Sequence, residues 1–376
     1  MSRKYDLVIF GATGFTGEIV CSYINSHNDA ESLNWAIAGR DKDKLQSVSM
    51  GLSSRGKKID TLVVDSFDKD AIDSMCKKTA VVLTTVGPYC IYGEYLVDSC
   101  VKHGTHYLDL TGEPQFVNRV KDKLSKDALD SGSIVLNCCG FESIPADIGS
   151  YLAVRTLGDK NIQIENYLLT RGKISGGTWA SFLNSISLGS QSSERGSKRK
   201  RMHKKSKRIF FNKRFKRWAL IFPVVDRDIV RKSGIFFDYG SDFNFKQFIL
   251  FKSFFSMLML ILGIAAVSVF SKIGFIRNWL RSYIPSGSGP SESERKKHWF
   301  RSIFVARSMK SEAEIEISGG DPGYGETAKL ISESALCIIK DRDKLVNNRG
   351  VLTPMECMGD LLIERLKKNG IKIIIN

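Results

Sequence analysis

The stretch Leu7-Val8-Ile9-Phe10-Gly11-Ala12-Thr13-Gly14-Phe15-Thr16-Gly17 decides the fold of this chain. A short apolar run ends in three glycines with the spacing G-x-x-G-x-x-G, and residues 18–24 follow at helical period. This order predicts a strand, a tight turn and a helix, which open a nucleotide-binding βαβ unit. Gly11 would let the chain turn, Gly14 would let a pyrophosphate approach the backbone, and Gly17 would let the helix lie close to the sheet. Thr13 and Phe15 complete the predicted binding loop; a glycine-rich loop without a ligand is the alternative.

The end of the second predicted strand, residues 34–40, indicates which nucleotide binds. In many dinucleotide-binding folds an acidic residue at this point binds the ribose 2′-hydroxyl of NAD. This chain has Gly39-Arg40 instead, so a guanidinium is available to pair with a 2′-phosphate. The sequence therefore favours NADP(H) over NAD(H). Asp41 and Asp43 follow closely, and Asp41 could simply cap the helix that begins near Lys42.

Further apolar runs predict the remaining strands of this sheet. Asp65 follows the third strand, where it could hydrogen-bond near an adenine. Gly87 and Pro88 follow the fourth strand, at the edge where ligands of parallel sheets lie. Six alternations of strand and helix predict a Rossmann-type, doubly wound parallel sheet over residues 1–146. Beyond it, the pattern predicts a second α/β domain over residues 147–346.

Groups able to donate a proton cluster after the predicted strands. Hydride transfer needs such a donor, often a tyrosine or a carboxylic acid. Tyr89 and Glu113 are the preferred catalytic candidates, with a structural hydrogen-bonding role as the alternative for each. The wider set at this edge comprises Tyr92, Glu94, Glu142, Ser143 and Asp147.

A metal site is not predicted. Cys100, His103, His106 and Asp109 are spaced by three residues, but they divide between a predicted helix and a predicted strand. Their side chains therefore share no face on which one ion could be bound.

The composition is that of a globular protein. Of its residues 43% are hydrophobic and 26% are charged. The length of 376 residues is enough for two domains. Its eight cysteines show no C-x-x-C spacing, and the first residues lack the apolar core of a signal peptide. We therefore expect reduced thiols and a protein that is not secreted. The net charge of +16 is concentrated in a basic segment, residues 195–217, which holds thirteen Lys or Arg and no acid.

The segment 243–284 does not have the pattern of a soluble domain. Its residues 253–271 carry no charge, and as a helix they would be about 28 Å long, enough to span a bilayer core. A single span would separate the nucleotide-binding domain from residues 310–376. We therefore expect a helix or hairpin that associates with one leaflet, with a buried helix as the alternative. The basic segment would bind anionic headgroups; a solvated loop is its alternative, and nucleic acid is disfavoured.

Several motifs resemble those of the saccharopine dehydrogenase-like oxidoreductases: GATGFTG (11–17), AGR (38–40), VGPY (86–89), YLDLTGE (107–113) and GFESIPAD (140–147). Later matches are GGTW (176–179), DPGYGETA (321–328) and GVLTP (350–354), so the resemblance covers nearly the whole chain, most weakly over residues 190–310. Glu142 departs from the pattern, because relatives often carry Asp there. The family includes lipid-droplet-associated animal proteins and bacterial trans-acting enoyl reductases of glycolipid synthesis. The resemblance also implies that the tail, residues 347–376, returns to the nucleotide-binding domain.

These observations lead us to expect an NADP(H)-dependent oxidoreductase at the cytosolic face of a membrane or lipid droplet. It would reduce a carbonyl or an activated double bond of a lipid-like substrate, such as a glycolipid precursor. One alternative is a saccharopine dehydrogenase of lysine metabolism, which would need an arginine-lined pocket and would leave the apolar segment without a purpose. Another is a non-catalytic lipid-droplet or membrane protein that keeps a cofactor fold. The oligomeric state is left open, with a homodimer among the options.

Overall fold

The computed structural model describes residues 3–53, 59–172, 207–222, 225–270 and 289–376. Within these ranges the strands are β1 Tyr5–Phe10, β2 Trp35–Gly39, β3 Asp60–Val63, β4 Thr79–Thr84, β5 His106–Asp109, β6 Ile134–Leu136, β7 Gln163–Arg171, β8 Ile209–Asn212, β9 Arg217–Ile221, β10 Asn244–Phe251, β11 Trp299–Arg307, β12 Glu312–Gly319, β13 Gly350–Leu352 and β14 Lys372–Ile375. The helices are α1 Phe15–Ser26, α2 Lys42–Leu52, α3 Lys69–Lys77, α4 Tyr89–Tyr92, α5 Glu94–Lys102, α6 Pro114–Ser131, α7 Ile144–Leu157, α8 Asp226–Phe236, α9 Phe254–Phe270, α10 Glu292–Arg295, α11 Gly325–Lys340, α12 Pro354–Met358 and α13 Asp360–Lys368.

The first sheet is the predicted doubly wound parallel sheet. Its strand order is β13-β6-β5-β4-β1-β2-β3, and every pairing in it is parallel. Leu7 and Ile9 of β1 pack into one hydrophobic cluster, whereas Val8 and Phe10 pack into another on the opposite face. Burial on both faces explains why these strands read as continuous apolar runs in the sequence.

The second sheet is mixed. Its order is β14-β12-β11-β7-β10-β9-β8, and only the β7–β10 pair is parallel. Helices α7 and α8 cover one face of this sheet. On that face, apolar side chains of β11 and β12 such as Phe304 and Ile315 pack in the same cluster as Leu7 and Ile9 of the first sheet. The two sheets thus share one hydrophobic core.

The C-terminal tail divides between the sheets. Strand β13 pairs with β6 at the edge of the first sheet, while β14 pairs with β12 at the edge of the second. The tail was expected to return as a whole to the nucleotide-binding domain, so β14 departs from that expectation. Within the tail, α12 and α13 are separate helices, because Gly359 between them has φ of +53°.

The apolar segment 243–284 is not one structural unit, contrary to the expectation from hydropathy. Its first part is strand β10 inside the second sheet, where Phe245, Phe248 and Leu250 are buried. Its middle part is helix α9, and residues 271–288 lie outside the described ranges. Hydropathy does not separate a buried strand from a membrane-seeking helix, because both are runs of apolar residues.

Helix α9 lies on the surface. Of its seventeen residues only Met257 is buried. The exposed large side chains are Phe254, Phe255, Met259, Leu260, Leu262, Ile264, Val269 and Phe270. Among the described residues, no helix is both long and apolar enough to cross a membrane.

The described part of the basic segment, residues 207–217, forms β8 and the turn into β9. Two of its aromatic side chains pack against the second sheet: Phe210 on Phe248 and Phe215 on Tyr167, at centroid distances of 5.3 and 5.0 Å. The Arg214 guanidinium pairs with the acidic side chains of β12. Residues 195–206, which carry the densest run of positive charge, lie outside the described ranges.

Candidate functional site

The glycine loop follows β1 at the carboxyl edge of the first sheet. Gly11 has φ of +91°, and its N–H donates to the Ala38 carbonyl at 2.8 Å. The Gly14 N–H donates back to the Gly11 carbonyl at 3.0 Å, which closes the turn. A Cβ on Gly17 would lie 2.1 Å from the Gly11 carbonyl oxygen, so only glycine lets α1 pack this closely. Gly39 lies beside the loop, because its Cβ would be 3.6 Å from the Thr13 hydroxyl.

This loop has the features needed to hold a dinucleotide phosphate. Gly14 is the N-cap of α1, and as a glycine it has no side chain that could cap the first N–H groups of the helix. A Cβ on Gly14 would meet only the Gly11 carbonyl oxygen, at 3.3 Å, and would otherwise fill open space in front of these groups. Uncapped N–H groups and the helix dipole favour an anion at this point. The residues present therefore fit a pyrophosphate.

Phe15 contributes to this loop differently from the sequence-based expectation. Its ring lies edge-on to Tyr324 at 4.9 Å, and the Arg295 guanidinium lies over it at 5.5 Å. The side chain therefore packs against the segment around α10 and α11. What Phe15 can offer a phosphate is its backbone N–H.

The residues expected to read the adenosine half lie at the ends of β2 and β3. Arg40 is exposed, so its guanidinium is open to a ligand. Asp41 accepts from the Lys44 N–H at 3.1 Å, which confirms the interpretation that it caps α2. Asp65 accepts from the Phe67 N–H at 2.9 Å and so holds the turn after β3.

The fourth strand ends beside the glycine loop. Thr85 donates its N–H to the Phe10 carbonyl at 2.9 Å and its hydroxyl to the Gly11 carbonyl at 3.2 Å. Gly87 and Pro88, joined by a cis peptide bond, follow at once and lead into α4. In doubly wound sheets ligands bind at the point where the strand order reverses, and here that point lies between β1 and β4.

Tyr89 and Glu113, the two sequence-based catalytic candidates, lie next to this edge and are engaged with backbone groups. The Glu113 carboxylate accepts from the N–H groups of Tyr89 and Cys90 at 2.8 and 3.0 Å, at the start of α4. The buried Tyr89 hydroxyl donates to the Thr84 carbonyl at 3.4 Å and accepts from the Leu110 N–H at 3.3 Å. Burial raises the pKa of this hydroxyl well above its ordinary value. Both side chains thus make structural hydrogen bonds at this edge, and their catalytic role stays a prediction.

A cavity of about 110 Å³ lies between the loop after β6 and the inner face of the second sheet. Part of its wall is apolar, formed by Phe141, Pro145, Ala146, Leu168 and Phe222. The rest is polar, formed by Glu142, Asn166, Asp226, Gln247 and Ser302. The loop that carries Glu142 adjoins the nucleotide edge, since a Cβ on Gly140 would be 3.1 Å from Leu110, the residue whose N–H bonds Tyr89.

The polar wall is a chain of hydrogen bonds across three strands. The Ser302 hydroxyl of β11 donates to Asn166 Oδ1 of β7 at 2.8 Å. Asn166 Nδ2 donates to Gln247 Oε1 of β10 at 2.9 Å. Gln247 Nε2 donates to Asp226 Oδ2, at the start of α8, at 2.6 Å. The chain therefore ends on a carboxyl group.

The two carboxyl groups of the cavity have raised pKa values. Burial, with a smaller contribution from the charge of Asp109, raises the pKa of Glu142 to about 7. Burial also raises the pKa of Asp226 well above its ordinary value; Gln247 lowers it, and the nearby Glu142 raises it. Two carboxyls held toward the uncharged form, in one cavity beside a cofactor edge, are typical of acid–base chemistry.

Sequence reasoning placed Glu142 only in the wider set and missed the other polar groups of the cavity. Asn166, Gln247 and Ser302 each occupy an inward position of a strand whose other inward positions are mostly apolar, which is a weak local signal. Asp226 looks in the sequence like an ordinary first-turn acid of a helix. Their convergence depends on strand pairing that no local pattern encodes.

The fold and this site define a two-domain oxidoreductase with a dinucleotide-binding sheet. Residues 7–136 match the family model of the saccharopine dehydrogenase NADP binding domain. A lipid droplet localized protein from Caenorhabditis elegans is 30% identical over 408 residues, covering 96% of this chain and 95% of that protein. A trans-acting enoyl reductase from Mycobacterium tuberculosis is 28% identical over 411 residues, covering 98% of this chain and 97% of that protein. The chain belongs to the saccharopine dehydrogenase-like oxidoreductases.

The fold agrees with this assignment. The structure of a saccharopine dehydrogenase (L-Glu forming) from Saccharomyces cerevisiae superposes with a TM-score of 0.56 at 12% identity, covering 99% of this chain and all of that one. At this identity the likeness concerns the fold alone. The family resemblance inferred from the motifs is confirmed by the family model and by the 30%-identical relative.

Proposed function

We propose that the protein is an NADPH-dependent reductase of a carbonyl group or an activated double bond in a lipid-like substrate. The observation that carries this proposal is the cavity beside the nucleotide edge, which joins an apolar wall to a polar wall ending in two carboxyls of raised pKa. The name of the mycobacterial relative, a trans-acting enoyl reductase, supports the same class of reaction.

The chain's own residues would hold the cofactor as follows. The backbone N–H groups at the start of α1, after Gly14, would bind the pyrophosphate, and Arg40 would pair with the 2′-phosphate. Gly87 and Pro88 would flank the ligand at the reversal of strand order, and Asp65 holds the turn beside the adenosine half. When bound, the cofactor supplies a hydride, that is two electrons and one hydrogen, and is oxidised.

The proton that completes the reduction would come from Glu142. Its carboxyl lines the cavity, and its pKa of about 7 leaves a large protonated fraction at neutral pH. A general acid works best with a pKa near the working pH. The O–H bond of Glu142 would break as the new bond to the substrate forms, and water would return the proton, since this side chain is partly exposed.

The charge of the cavity favours a neutral substrate. A second carboxyl, Asp226, lies in the same cavity as Glu142, so a substrate carboxylate would meet either repulsion or two acids that must both stay protonated. This is a poor site for an amino acid that carries several carboxylates, which counts against saccharopine as the substrate. The apolar wall suits an acyl chain instead.

We further propose that α9 attaches the protein to a lipid droplet or membrane at its cytosolic face. The helix exposes a row of large apolar side chains, and Trp218 of β9 packs edge-on to Phe254 at 5.0 Å at its start. Exposed apolar surface of this kind is typical of a lipid-binding or protein-binding face. The name of the nematode relative, a lipid droplet localized protein, supports the lipid surface.

The test is to incubate the purified protein with NADPH and a neutral-lipid extract and to search by mass spectrometry for products two hydrogens heavier. Glu142→Gln should lower turnover by about 100-fold without changing the cofactor dissociation constant. In the unsubstituted protein turnover should fall as the pH rises past about 7, because only the protonated Glu142 donates. Cofactor binding without any such product would favour the non-catalytic alternative.

A further inference from the structure

Asp226 is a buried carboxyl group with one oxygen unaccounted for. It is 3% exposed and is the first residue of α8. Its Oδ2 accepts from Gln247 Nε2 at 2.6 Å, while Oδ1 has no hydrogen-bond partner in the described part of the chain. Asp226 lines the cavity, so a ligand there is the available partner for Oδ1. A buried polar atom left without a partner costs about 1–3 kcal/mol, which a ligand could recover.

The hydrogen-bond chain behind Asp226 determines which oxygen can carry a proton. Gln247 uses its carbonyl oxygen to accept from Asn166, so it has only N–H groups to present to Asp226. Asn166 is in turn oriented by the Ser302 hydroxyl, which donates to its carbonyl oxygen. Oδ2 is therefore an acceptor, and a proton on this carboxyl resides on Oδ1.

The surroundings of Asp226 keep that proton in place. Burial raises the pKa of this carboxyl well above its ordinary value, and the neighbouring Glu142 adds to the effect. Glu142 is partly exposed, whereas Asp226 is buried. The two acids of the cavity are thus suited to different tasks: Glu142 to exchange a proton with water, and Asp226 to keep one.

We propose that Asp226 donates a hydrogen bond from Oδ1 to the carbonyl oxygen of the substrate, so that the cavity selects an uncharged carbonyl group and rejects a carboxylate. This inference rests on the proposed function and names the substrate group and the residue that recognises it. During reduction of a carbonyl, or of a double bond conjugated to one, negative charge develops on this oxygen. A hydrogen-bond donor fixed in advance stabilises that charge.

The experiment uses the full chain with NADP⁺, so that no reaction occurs, and a long-chain methyl ketone labelled isotopically at its carbonyl. Infrared difference spectra report the hydrogen bond, because a bonded carbonyl stretches at lower frequency. The unsubstituted protein should show this shift and should bind the ketone at least about tenfold more tightly than the fatty carboxylate of equal length. Asp226→Ala should lose the shift and weaken ketone binding by roughly three- to tenfold.

Two further variants keep the test falsifiable. Asp226→Asn should retain the shift, because its carbonyl can accept from Gln247 while its N–H group donates from the position of Oδ1. Asp228→Ala, two residues along α8 and exposed, should behave like the unsubstituted protein. NADP⁺ affinity, measured in every variant, reports whether each one is folded.

The inference is overturned if the ketone does not bind, if Asp226→Ala keeps the shift, or if Asp226→Asn loses it. Failure of the proposed function gives a different result. An Asp226-dependent shift without reduction of any lipid by NADPH would leave the carbonyl site standing and remove the reductase activity. Reduction of a lipid by NADPH without such a shift would leave the reductase activity standing and remove the carbonyl site.

Discussion

Gly14 and Gly17 belong to the same loop, but substituting Gly14 should affect cofactor binding, whereas substituting Gly17 should affect stability. Gly14→Val should leave a folded protein, because its Cβ meets only one atom, at 3.3 Å, and should weaken NADPH binding by about 100-fold by blocking the phosphate. Gly17→Ala should instead destabilise the fold by roughly 1–3 kcal/mol, since its Cβ would overlap a carbonyl oxygen at 2.1 Å. Calorimetric titration and thermal denaturation separate the two effects. Undiminished NADPH binding by the folded Gly14 variant would refute the phosphate-binding role of the loop.

Arg40 should set the preference between the two nicotinamide cofactors. NADPH should bind more tightly than NADH, and Arg40→Ala should remove roughly 1–3 kcal/mol of that margin, because a charge-assisted pair with the 2′-phosphate is lost. NADH affinity should stay unchanged in the variant. Lys44→Ala, an exposed lysine in the first turn of α2, is the matched control. Equal dissociation constants for the two cofactors in the unsubstituted protein would contradict this prediction.

At the residue scale, roles that depend on nearby positions in the sequence could be predicted, whereas roles that depend on distant segments could not. The cap at Asp41 and the close approach at Gly17 follow from neighbours within a few positions, and the structure has both. The role of Glu113 depends on the start of α4, where its carboxylate accepts from the N–H of Cys90, twenty-three residues away. The cavity side chain of Asp226 depends on strands from three separate parts of the chain.

At the scale of elements, helix α9 should govern attachment to lipid. The side chains of Phe255, Met259 and Leu262 are 68%, 53% and 54% exposed and lie along one face at helical spacing. Replacing all three by serine should lower binding to lipid droplets or vesicles by at least about tenfold, because each buried apolar side chain is worth roughly 1.5–3 kcal/mol. Flotation through a density gradient measures the bound fraction.

Salt and a matched variant serve as controls for that prediction. Binding through α9 should persist at about 1 M salt, whereas attraction through basic residues is screened as the Debye length falls to about 3 Å. Met50→Ser with Val63→Ser, exposed apolar positions on the first domain, should leave binding unchanged. A protein that stays unbound at low salt would show that α9 has a different partner. Cofactor affinity should be the same in all variants, since α9 lies outside the nucleotide edge.

Hydropathy predicted α9 but could not delimit it. The uncharged run from residue 253 to 271 indicates a helix, and the described helix covers Phe254–Phe270 of it. The preceding residues are also rich in Phe, Ile and Leu, yet they form β10, because they pair with β7 and β9 inside a sheet. Deleting the whole segment 243–284 would therefore remove a central strand and Gln247 with it. Point substitutions on α9 are the sound test.

At the scale of the whole molecule, buried carboxyls should make stability fall as the pH rises. Burial raises the pKa of Asp109 from 3.8 to about 6 and that of Asp147 from 3.8 to about 7. Because the folded state binds these protons more tightly than the unfolded state, their stabilisation is complete below about 4 and is lost as the pH rises through the folded values. Urea midpoints measured between about pH 5 and about pH 8 should decline.

Asp147 offers a direct control for this pH dependence. Asp147→Asn keeps an oxygen to accept from the Met355 N–H, a bond of 3.2 Å that ties α7 to α12, but it cannot ionise. The variant should show a flatter decline, by an amount on the order of a few kcal/mol, because each unit of pKa shift corresponds to about 1.4 kcal/mol. An unchanged slope would mean that Asp147 is ionised in the folded protein at neutral pH.

Most of the first sheet could be predicted from the sequence, but the strands that complete each sheet at its edge could not. The order of apolar runs and glycine turns is sufficient for the first sheet, since parallel strands buried on both faces leave a clear pattern. The sequence does not reveal that residues 350–352 and 372–375 complete different sheets, because both are short and their partners lie far away in the chain. Nor does it reveal that α11, expected in the second domain, packs on α1 of the first.

The divided tail has a consequence for how the protein is made. Residues 350–352 and 372–375 are synthesised after all the strands they pair with, so β6 and β12 each lack a partner on one side until β13 and β14 add to them. Open strand edges invite pairing with other chains, and the danger grows with the time they are exposed. The first sheet therefore gains its last strand only after strands β7 to β12 of the second sheet have been synthesised.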